Sequence, residues 1–245
     1  MEKKYKTEFH VHTRYSKDSI LSFWLIKLMC KIKGINTLVI CDHNEVSGAI
    51  KYKEKFKKHN IEIIVGEEIF TLDGEIIGIG LNKKIEPNLT PKETIKQIKE
   101  QNGIVYIPHP YDEKRYKTVL KEEQIKLNKK DIDYIEIHNG RNISKSFDIK
   151  QNEIAEKYNL TKIIGSDAHT FFELGRNYIL TDNKVTIEEL RKKKIKYEFN
   201  QKECIKFAHS WTKVARIIKM VGRGDFNGIY RAINRKCKRK KQGTI

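Results

Sequence analysis

The sequence predicts an α/β protein in which parallel strands form a barrel or a wound sheet. Runs of apolar, β-prone residues alternate with segments of helical periodicity, and this order is typical of folds with parallel strands. Four of the apolar runs lead within three residues into a His or an Asp, namely His10, Asp42, His109 and Asp167. Because the carboxyl ends of parallel strands meet at one rim, we expect these side chains to lie close together.

The individual elements have recognisable boundaries. Gly34 ends the first predicted helix, and Asp73-Gly74 predicts the turn of a β-hairpin. Thr90-Pro91 is typical of a helix start. The predicted strands are Thr7–Phe9, Thr37–Cys41, Ile61–Val65, Ile69–Leu72, Glu75–Leu81, Ile104–Ile107, Asp133–His138, Lys162–Gly165 and Lys196–Phe199. The predicted helices are Ser22–Lys33, Ser47–Lys58, Pro91–Gln101, Ser144–Tyr158, Ile187–Lys194 and Phe207–Met220.

Length and composition favour one barrel, or one medium domain with an extension. The 245 residues are 38% hydrophobic, which is enough to fill a core. There is no run of the roughly 20 apolar residues that a transmembrane helix needs, and the charged first residues are unlike a signal peptide. The cysteines have no CxxC spacing and are expected to be reduced thiols, so the protein is predicted to be cytoplasmic.

Positive charge is concentrated toward the C-terminus. Residues 191–245 hold 18 of the 50 Lys and Arg residues and three of the 32 acids, so they carry +15 of the net charge of +18. We therefore predict a domain over residues 1–190 and a basic C-terminal extension over residues 191–245, partly packed on the barrel. Within the extension, Ile229–Lys241 is the candidate for contact with a polyanion such as nucleic acid. A merely solvated tail is the alternative.

The residue types at the strand ends favour a metal site. On a strand, residues i and i+2 face the same side, so His10 and His12 can reach one ion. The same spacing recurs later in the chain, and single histidines follow two further strands, which adds Asp167, His169, His43 and His109. Imidazole and carboxylate ligands together suit Mn, Zn or Fe ions. Any one of these histidines alone is more often structural, so the prediction depends on their number.

The order of these motifs resembles the PHP family, the polymerase and histidinol phosphatase domain. The resemblance covers roughly the first 190 residues. The matching segments are His10-Val11-His12, Asp42-His43-Asn44, Gly66-Glu67, Pro108-His109-Pro110, Ile135–Arg141 and Gly165–His169. The resemblance implies a distorted (β/α)7 barrel of the PHP type with two or three divalent metal ions at its C-terminal rim.

The resemblance also implies a set of ligands for each ion. The first ion would be bound by His10, His12, Glu67 and Asp167, the second by Glu67 and His109, and the third by Asp18, His43 and His169. Glu75 stands where many members of the family have a histidine. It either completes the second site, with a preference shifted toward Mn or Mg, or is an ordinary hairpin carboxylate in solvent.

The activity that the resemblance implies is that of a metal-dependent phosphoesterase. Closely spaced cations activate water and neutralise phosphate oxygens, so we assign no catalytic residue separate from the metal ligands. Three arginines follow motif segments and either clamp phosphate or form surface salt bridges: Arg115, Arg141 and Arg176. Related stand-alone proteins suggest a nucleotide bisphosphate phosphatase or a 5′-to-3′ exonuclease. The basic extension favours a nucleotide or a short nucleic acid as the substrate.

Two other functions stay open. Amidohydrolases also begin with HxH on the first strand of a barrel, but they usually add a metal-bridging Lys, and no predicted strand ends in a candidate Lys here. The second alternative is a non-catalytic nucleic-acid-binding PHP module whose site has lost ligands. Hydrolysis of cyclic amides and the retained metal content distinguish these alternatives from a phosphoesterase.

Overall fold

A computed structural model of the chain describes residues 4–205 and 207–225. Their strands are rich in Ile, Val, Tyr and Phe, whose side chains fit a buried pleated surface. The strands are β1 (Tyr5–Val11), β2 (Ile35–His43), β3 (Glu62–Thr71), β4 (Gly74–Ile79), β5 (Ile104–Ile107), β6 (Tyr134–Asn139), β7 (Lys162–Gly165), β8 (Tyr178–Thr181) and β9 (Glu198–Asn200).

The helices of the same residues connect or follow these strands. They are α1 (Phe23–Lys33), α2 (Ser47–Phe56), α3 (Pro91–Glu100), α4 (Glu122–Asn128), α5 (Lys145–Lys157), α6 (Ile187–Lys192) and α7 (Ala208–Gly222). Local sequence determines where several of them begin and end. The hydroxyl of Ser22 accepts a hydrogen bond from the first turn of α1, and Gly34 ends that helix at φ 68°. Thr90 and Glu93 form a capping box at the start of α3.

Strands β1 to β7 form an almost closed barrel. The sheet order is β7-β6-β5-β4-β3-β2-β1-β8-β9, and pairing is parallel from β1 to β3 and from β5 to β7. Strand β4 runs antiparallel to both of its neighbours, because a tight turn that contains Asp73 joins it to β3. This reversed strand is the distortion of the barrel. The α/β barrel fold predicted from the sequence is confirmed.

The barrel closes at β1. The edge of this strand that does not pair with β2 has two partners. The first half of the strand, Tyr5–Thr7, pairs antiparallel with β8. The second half pairs with the segment that follows β7. There the N–H of Ser166 donates to the carbonyl oxygen of Phe9 at 2.9 Å, and the N–H of His12 donates into the same segment at 2.9 Å. The first strand of the barrel and the segment that follows its last strand therefore lie side by side.

Hydrophobic side chains cover both faces of the barrel wall. On β2, Val39 and Cys41 belong to one buried cluster, together with Tyr106 of β5. Leu38 and Ile40 of the same strand belong to a second cluster that includes side chains of α1 and α2. This strand is thus buried on both faces, as is usual when helices cover a parallel sheet.

The segment after β8 continues the fold beyond the barrel. Strand β9 pairs antiparallel with β8, and α7 follows it. The division between residues 190 and 191 stays a prediction, and the proposed polyanion contact at Ile229–Lys241 lies outside the described residues. In the part of the chain that the structure describes, no helix has the length and apolar character needed to span a bilayer.

Candidate metal centre

His, Asp and Glu side chains form a cluster at the carboxyl-terminal rim of the barrel. The ends of β1, β2 and β3, the start of β4, and the segments after β1, β5 and β7 contribute its members. We call this set the rim cluster; it consists of His10, His12, Asp18, His43, Glu68, Glu75, His109, Asp167 and His169. Except for Glu67, every ligand predicted from the sequence is among them.

Four groups of three residues in the rim cluster are close enough to share an ion. Within each group, one ligand atom per residue lies within 4.8 Å of the others. The groups are His10 with His12 and Asp167, His10 with Glu68 and His109, His43 with Glu68 and Glu75, and His12 with His43 and His169. Asp18 adds a carboxylate to the last group, since its Oδ1 lies 3.7 Å from Nε2 of His43 and 3.5 Å from Nε2 of His169.

The backbone adopts left-handed conformations at three members of the rim cluster. The φ angle is 61° at His10, 28° at His109 and 51° at Asp167. Such angles cost roughly 1–3 kcal/mol in residues other than glycine and occur mainly at functional sites. At His10 the left-handed residue coincides with a bulge, where the pairing of β1 with β2 shifts register. Because of the bulge, Phe9 contacts Tyr106 in the core while His10, the next residue, reaches the rim cluster.

The structure reverses the predicted positions of Glu67 and Glu68. The carboxylate of Glu68 lies 2.8 Å from Nδ1 of His43 and 3.2 Å from Nε2 of His109. Glu67 points to the other face of β3, where its carboxylate accepts a hydrogen bond from the N–H of Ile85 at 2.9 Å. In the parallel register, Glu68 is paired with His43, so the two side chains share a face. Glu68 therefore replaces Glu67 in the candidate ligand sets of the first and second ions.

Glu75 lies inside the rim cluster and is not a hairpin carboxylate in solvent. The residue is 7% exposed, and its Oε2 lies 3.5 Å from Nε2 of His109. Burial and the nearby charge of Glu68 raise the pKa of Glu75 to about 7. Two carboxylates on neighbouring strands thus face the same region, and a cation between them would relieve their repulsion.

Burial and neighbouring charges determine the ionisation of the rim cluster. Burial raises the pKa of Glu68 and of Asp167, but the surrounding cationic groups outweigh it and hold both pKa values well below the usual range. Burial, together with the imidazoles of His169 and His43, holds the pKa of His12 well below its usual value. The carboxylates of Glu68 and Asp167 are therefore ionised and His12 is neutral, which are the forms that bind a metal. Burial lowers the pKa values of His10 and His43, but the neighbouring carboxylates outweigh it and raise both, so an ion would displace a proton from each of these imidazoles.

Glu136 lies behind the rim cluster and orients its histidines. Its Oε1 lies 2.7 Å from Nδ1 of His10 and accepts a hydrogen bond from the hydroxyl of Tyr106. Its Oε2 accepts a hydrogen bond from the N–H of His109 at 2.6 Å. A partner at Nδ1 leaves Nε2 of His10 free to bind an ion. Glu136 belongs to the sequence motif Ile135–Arg141, but the sequence alone indicates no role for it.

Asp42 fixes the loop that follows β1. Its buried carboxylate accepts hydrogen bonds from the N–H and the hydroxyl of Thr13 at 2.7 and 2.6 Å, and from the hydroxyl of Ser16 at 2.7 Å. The oxygen of Ser16 also lies 3.2 Å from Nδ1 of His12. Asp42 therefore supports both a histidine of the rim cluster and the loop that carries Asp18.

Of the three arginines that are candidates for a phosphate contact, Arg115 is the one that reaches the rim cluster. Its guanidinium donates to the carboxylate of Asp167 and, through Nε, to Asp112 at 2.7 Å. A third hydrogen bond goes to the side-chain oxygen of Asn139 at 3.2 Å. The cation is thus held beside one of the candidate ligands.

The other two arginines have other partners, which favours the salt-bridge alternative for Arg141 and gives no support to a phosphate contact of Arg176. Nε of Arg141 donates to the buried carboxylate of Glu173 at 2.7 Å, and Glu173 accepts a hydrogen bond from the N–H of His169 at 3.0 Å. Arg141 therefore supports the loop of a candidate ligand and does not face the open rim. Arg176 donates to the carbonyl oxygen of Glu203 at 3.0 Å, outside the rim cluster.

Several ligand atoms of the rim cluster are buried and have no hydrogen-bond partner within the described residues. They include Nε2 of His10, Nε2 of His12 and Oδ1 of Asp18. A buried polar atom without a partner is costly, and coordination to an ion would satisfy these atoms. Imidazole nitrogens and carboxylate oxygens together form the donor set that Mn, Zn and Fe use. The residues present therefore fit divalent metal ions.

Proteins of known sequence include relatives of this chain. Two uncharacterized proteins of Methanocaldococcus jannaschii are each 36% identical to it, one over 55% of this chain and 82% of the relative, the other over 71% and 69%. A 5′-3′ exoribonuclease of Haemophilus influenzae is 32% identical over 124 residues, which are 46% of this chain and 44% of that protein. This chain therefore spans less than half of the exoribonuclease.

Solved structures that share the fold include the following two. A two-domain protein of Bacteroides vulgatus, which contains a predicted PHP-like metal-dependent phosphoesterase, matches with a TM-score of 0.63 at 18% identity, over 81% of this chain and 65% of that one. PsfC of Pseudomonas syringae matches with a TM-score of 0.62 at 13% identity, over 89% and 98%. At such identities the likeness concerns the fold alone.

The family whose model matches this sequence is described as the PHP domain. The match extends over residues 8–241, which include the whole rim cluster and most of the basic extension. This chain therefore belongs to the PHP domain family.

Proposed function

We propose that the protein is a metal-dependent phosphoesterase that hydrolyses a phosphate ester. The observation that carries this proposal is the convergence, at one rim of the barrel, of buried imidazole and carboxylate atoms that lack a hydrogen-bond partner among the described residues. Membership of the PHP domain family supports it. The retention of candidate ligands at every contributing segment argues against a decayed, non-catalytic module.

The proposed ion positions divide the rim cluster among two or three divalent ions. The first position comprises His10, His12, Glu68 and Asp167, the second Glu68, Glu75 and His109, and the third Asp18, His43 and His169. Mn, Zn or Fe suits this donor set, and the additional carboxylate of Glu75 makes Mg an alternative. Bound ions supply Lewis-acid activation and neutralise the negative charge of the phosphate.

Arg115 is the residue of this chain that we assign to the phosphate of the substrate. Its guanidinium is anchored by Asp112 through Nε, and its two terminal nitrogens face Asp167 and Asn139. A planar guanidinium pairs well with two oxygens of a phosphate. We assign no separate general base, because the imidazoles near the reacting region are all candidate ligands.

A nucleotide or a short nucleic acid is the proposed substrate class. The partial similarity to a 5′-3′ exoribonuclease supports this choice, as does the charge of residues 191–245. Basic residues that contact phosphates release counterions and so favour polyanions. A cytoplasmic setting belongs to the same proposal, because Cys30, Cys41 and Cys204 are free thiols.

The test is a substrate panel with added Mn²⁺. It contains phosphomonoesters, nucleotide bisphosphates and 5′-labelled oligonucleotides, with cyclic amides in parallel. We expect phosphate-ester hydrolysis that a chelator abolishes. The double variant His10→Ala/His12→Ala should lose both metal and hydrolysis, whereas His59→Ala, which alters a ring packed against Phe23 and Phe56, should keep both.

Three outcomes would contradict parts of this proposal. Wild-type metal content in the double variant would remove the ligand assignment. Hydrolysis of cyclic amides alone would favour the amidohydrolase alternative. If the wild-type chain retains no metal and hydrolyses none of these substrates, the result would favour the non-catalytic nucleic-acid-binding module.

A further inference from the structure

Helix α7 connects two loops of the barrel rim. Near its start, Nε2 of His209 lies 3.2 Å from the carbonyl oxygen of Arg141, which follows β6. Toward its end, the ammonium group of Lys219 donates to the carbonyl oxygen of Arg14 at 2.8 Å and also to that of Ser16. Arg14 and Ser16 belong to the loop after β1, so the helix extends from one side of the rim to another.

Lys219 belongs to the inward face of α7. The buried residues of the helix are Ala208, Thr212 and Ala215. Lys219 follows Ala215 by four positions and therefore continues the same face, and it is partly buried. Lys213 and Arg216 lie on other faces and are exposed. Of these three cations of α7, Lys219 is therefore the one that contacts the loop.

The loop that Lys219 contacts carries Asp18, a member of the rim cluster. Asp18 lies between two anchored serines. On the core side, the hydroxyl of Ser16 donates to Asp42, and the hydroxyl of Ser19 donates to the carbonyl oxygen of His169 at 3.0 Å. Lys219 adds an anchor on the outer side. The backbone before Asp18 is therefore held from both sides.

We propose that Lys219 is a positioning residue for the ion position formed by Asp18, His43 and His169. This inference rests on the proposed function, because it requires an ion at that position. An ammonium group has three donors and no acceptor, so that of Lys219 can donate to the carbonyl oxygens of Arg14 and Ser16 at the same time. Removal of a group that hydrogen-bonds a metal ligand typically lowers metal affinity about 10- to 100-fold, and we expect a contact with the backbone beside the ligand to act at the lower end of this range. Helix α7 is thereby a part of the metal centre.

The test compares Mn²⁺ binding by full-length variants in the absence of substrate. Lys219→Met removes the donors, Lys219→Arg keeps a cation with donors, and Lys213→Met alters an exposed cation of the same helix. We expect calorimetry to show that one ion binds at least about tenfold more weakly to Lys219→Met. Lys219→Arg should restore most of the affinity, and Lys213→Met should bind as the wild type does.

A double-variant cycle tests whether the effect passes through Asp18. In a chain that already carries Asp18→Ala, Lys219→Met should cause no further loss of Mn²⁺ affinity. Wild-type affinity for every ion in Lys219→Met would overturn the inference, and so would a loss that adds fully to that of Asp18→Ala. If circular dichroism shows that Lys219→Met is unfolded, Lys219→Ala, which also lacks donors, replaces it, and the same two results decide.

These measurements are independent of hydrolysis. A wild-type chain that binds Mn²⁺ and hydrolyses no phosphate ester would contradict the proposed function alone. If the wild-type chain hydrolyses phosphate esters and Lys219→Met binds every Mn²⁺ ion with wild-type affinity, this inference alone is contradicted.

Discussion

Oε1 of Glu136 lies 2.7 Å from Nδ1 of His10, on the opposite side of the imidazole ring from the rim cluster. The other oxygen of the same carboxylate accepts a hydrogen bond from the backbone of His109. One buried carboxylate therefore sets the orientation of two candidate ligands from different strands. With the Nδ1 proton directed to Glu136, Nε2 of His10 is left with a lone pair for an ion.

Replacement of Glu136 by Gln should weaken metal binding without loss of the fold. The amide keeps the shape of the side chain but lacks the charge that stabilises the Nδ1 proton of His10. We expect the affinity for Mn²⁺ to fall about 10- to 100-fold, measured by calorimetry. Glu153→Gln, which alters an exposed partner of Lys150 on α5, is the control and should bind normally. Equal affinities in the two variants would mean that this contact does not tune the site.

Glu68→Gln should be far more harmful than Glu67→Gln. Glu68 has imidazoles on two sides, whereas Glu67 accepts a backbone hydrogen bond that an amide oxygen can also accept. We expect kcat/KM for a phosphate ester to fall at least about a hundredfold in Glu68→Gln, in line with the loss of a main electrostatic group. Metal content should fall in parallel. Comparable losses in both variants would indicate that the register of β3 differs from the one described.

Gly165→Ala should disturb the same centre by steric conflict. A Cβ atom at Gly165 would lie 1.9 Å from Oε1 of Glu136, so the carboxylate would have to move away from His10. We expect a loss of about 1–3 kcal/mol in the free energy of unfolding, together with weaker Mn²⁺ binding. Gly222→Ala is the matched control, because no atom of the described residues lies within 4 Å of a Cβ there. An unchanged melting temperature in Gly165→Ala would contradict this account.

Neutralising the C-terminal cations should weaken polyanion binding and leave the chemistry intact. The residues to be changed to Gln in the full-length chain are Arg235, Lys236, Lys238, Arg239, Lys240 and Lys241. Turnover of a small phosphomonoester should be unchanged. The affinity for an oligonucleotide at low salt should drop, and its dependence on salt concentration should become less steep. If affinity and salt dependence both stay as in the wild type, these cations are only solvated.

The position of the site could be predicted from the sequence because it depends on local patterns. His43, His109 and Asp167 each end or follow an apolar run, and the carboxyl ends of parallel strands share one rim. The apolar runs themselves mark the strands, since a barrel wall buried on both faces needs continuous hydrophobic segments. These features require no knowledge of which strand pairs with which.

The choice between Glu67 and Glu68 could not be made in this way. Ile63 and Ile64 are both buried, so β3 shows no alternation that would reveal which of its faces turns inward. The face is determined by pairing with β2, where His43 lies beside Glu68. Such pairing is a long-range property of the folded chain.

Two elements were missed for related reasons. Helix α4 is short, and Lys121, the residue before its first turn, provides no side-chain cap. Strand β8 has four residues and owes its conformation to its neighbours β1 and β9. The support that Arg141 gives through Glu173 was equally invisible, because the sequence does not show which buried acid an arginine will meet.

The divided edge of β1 imposes an order on folding during protein synthesis. Strand β1 leaves the ribosome first, but the segment after β7 and strand β8, which complete its edge, leave it only after the rest of the barrel. Until then His10 and His12 have no Asp167 or His169 beside them. A nascent chain therefore carries most of its histidines before the first and third ion positions are complete, so loading of these two positions must come late in the maturation of this protein.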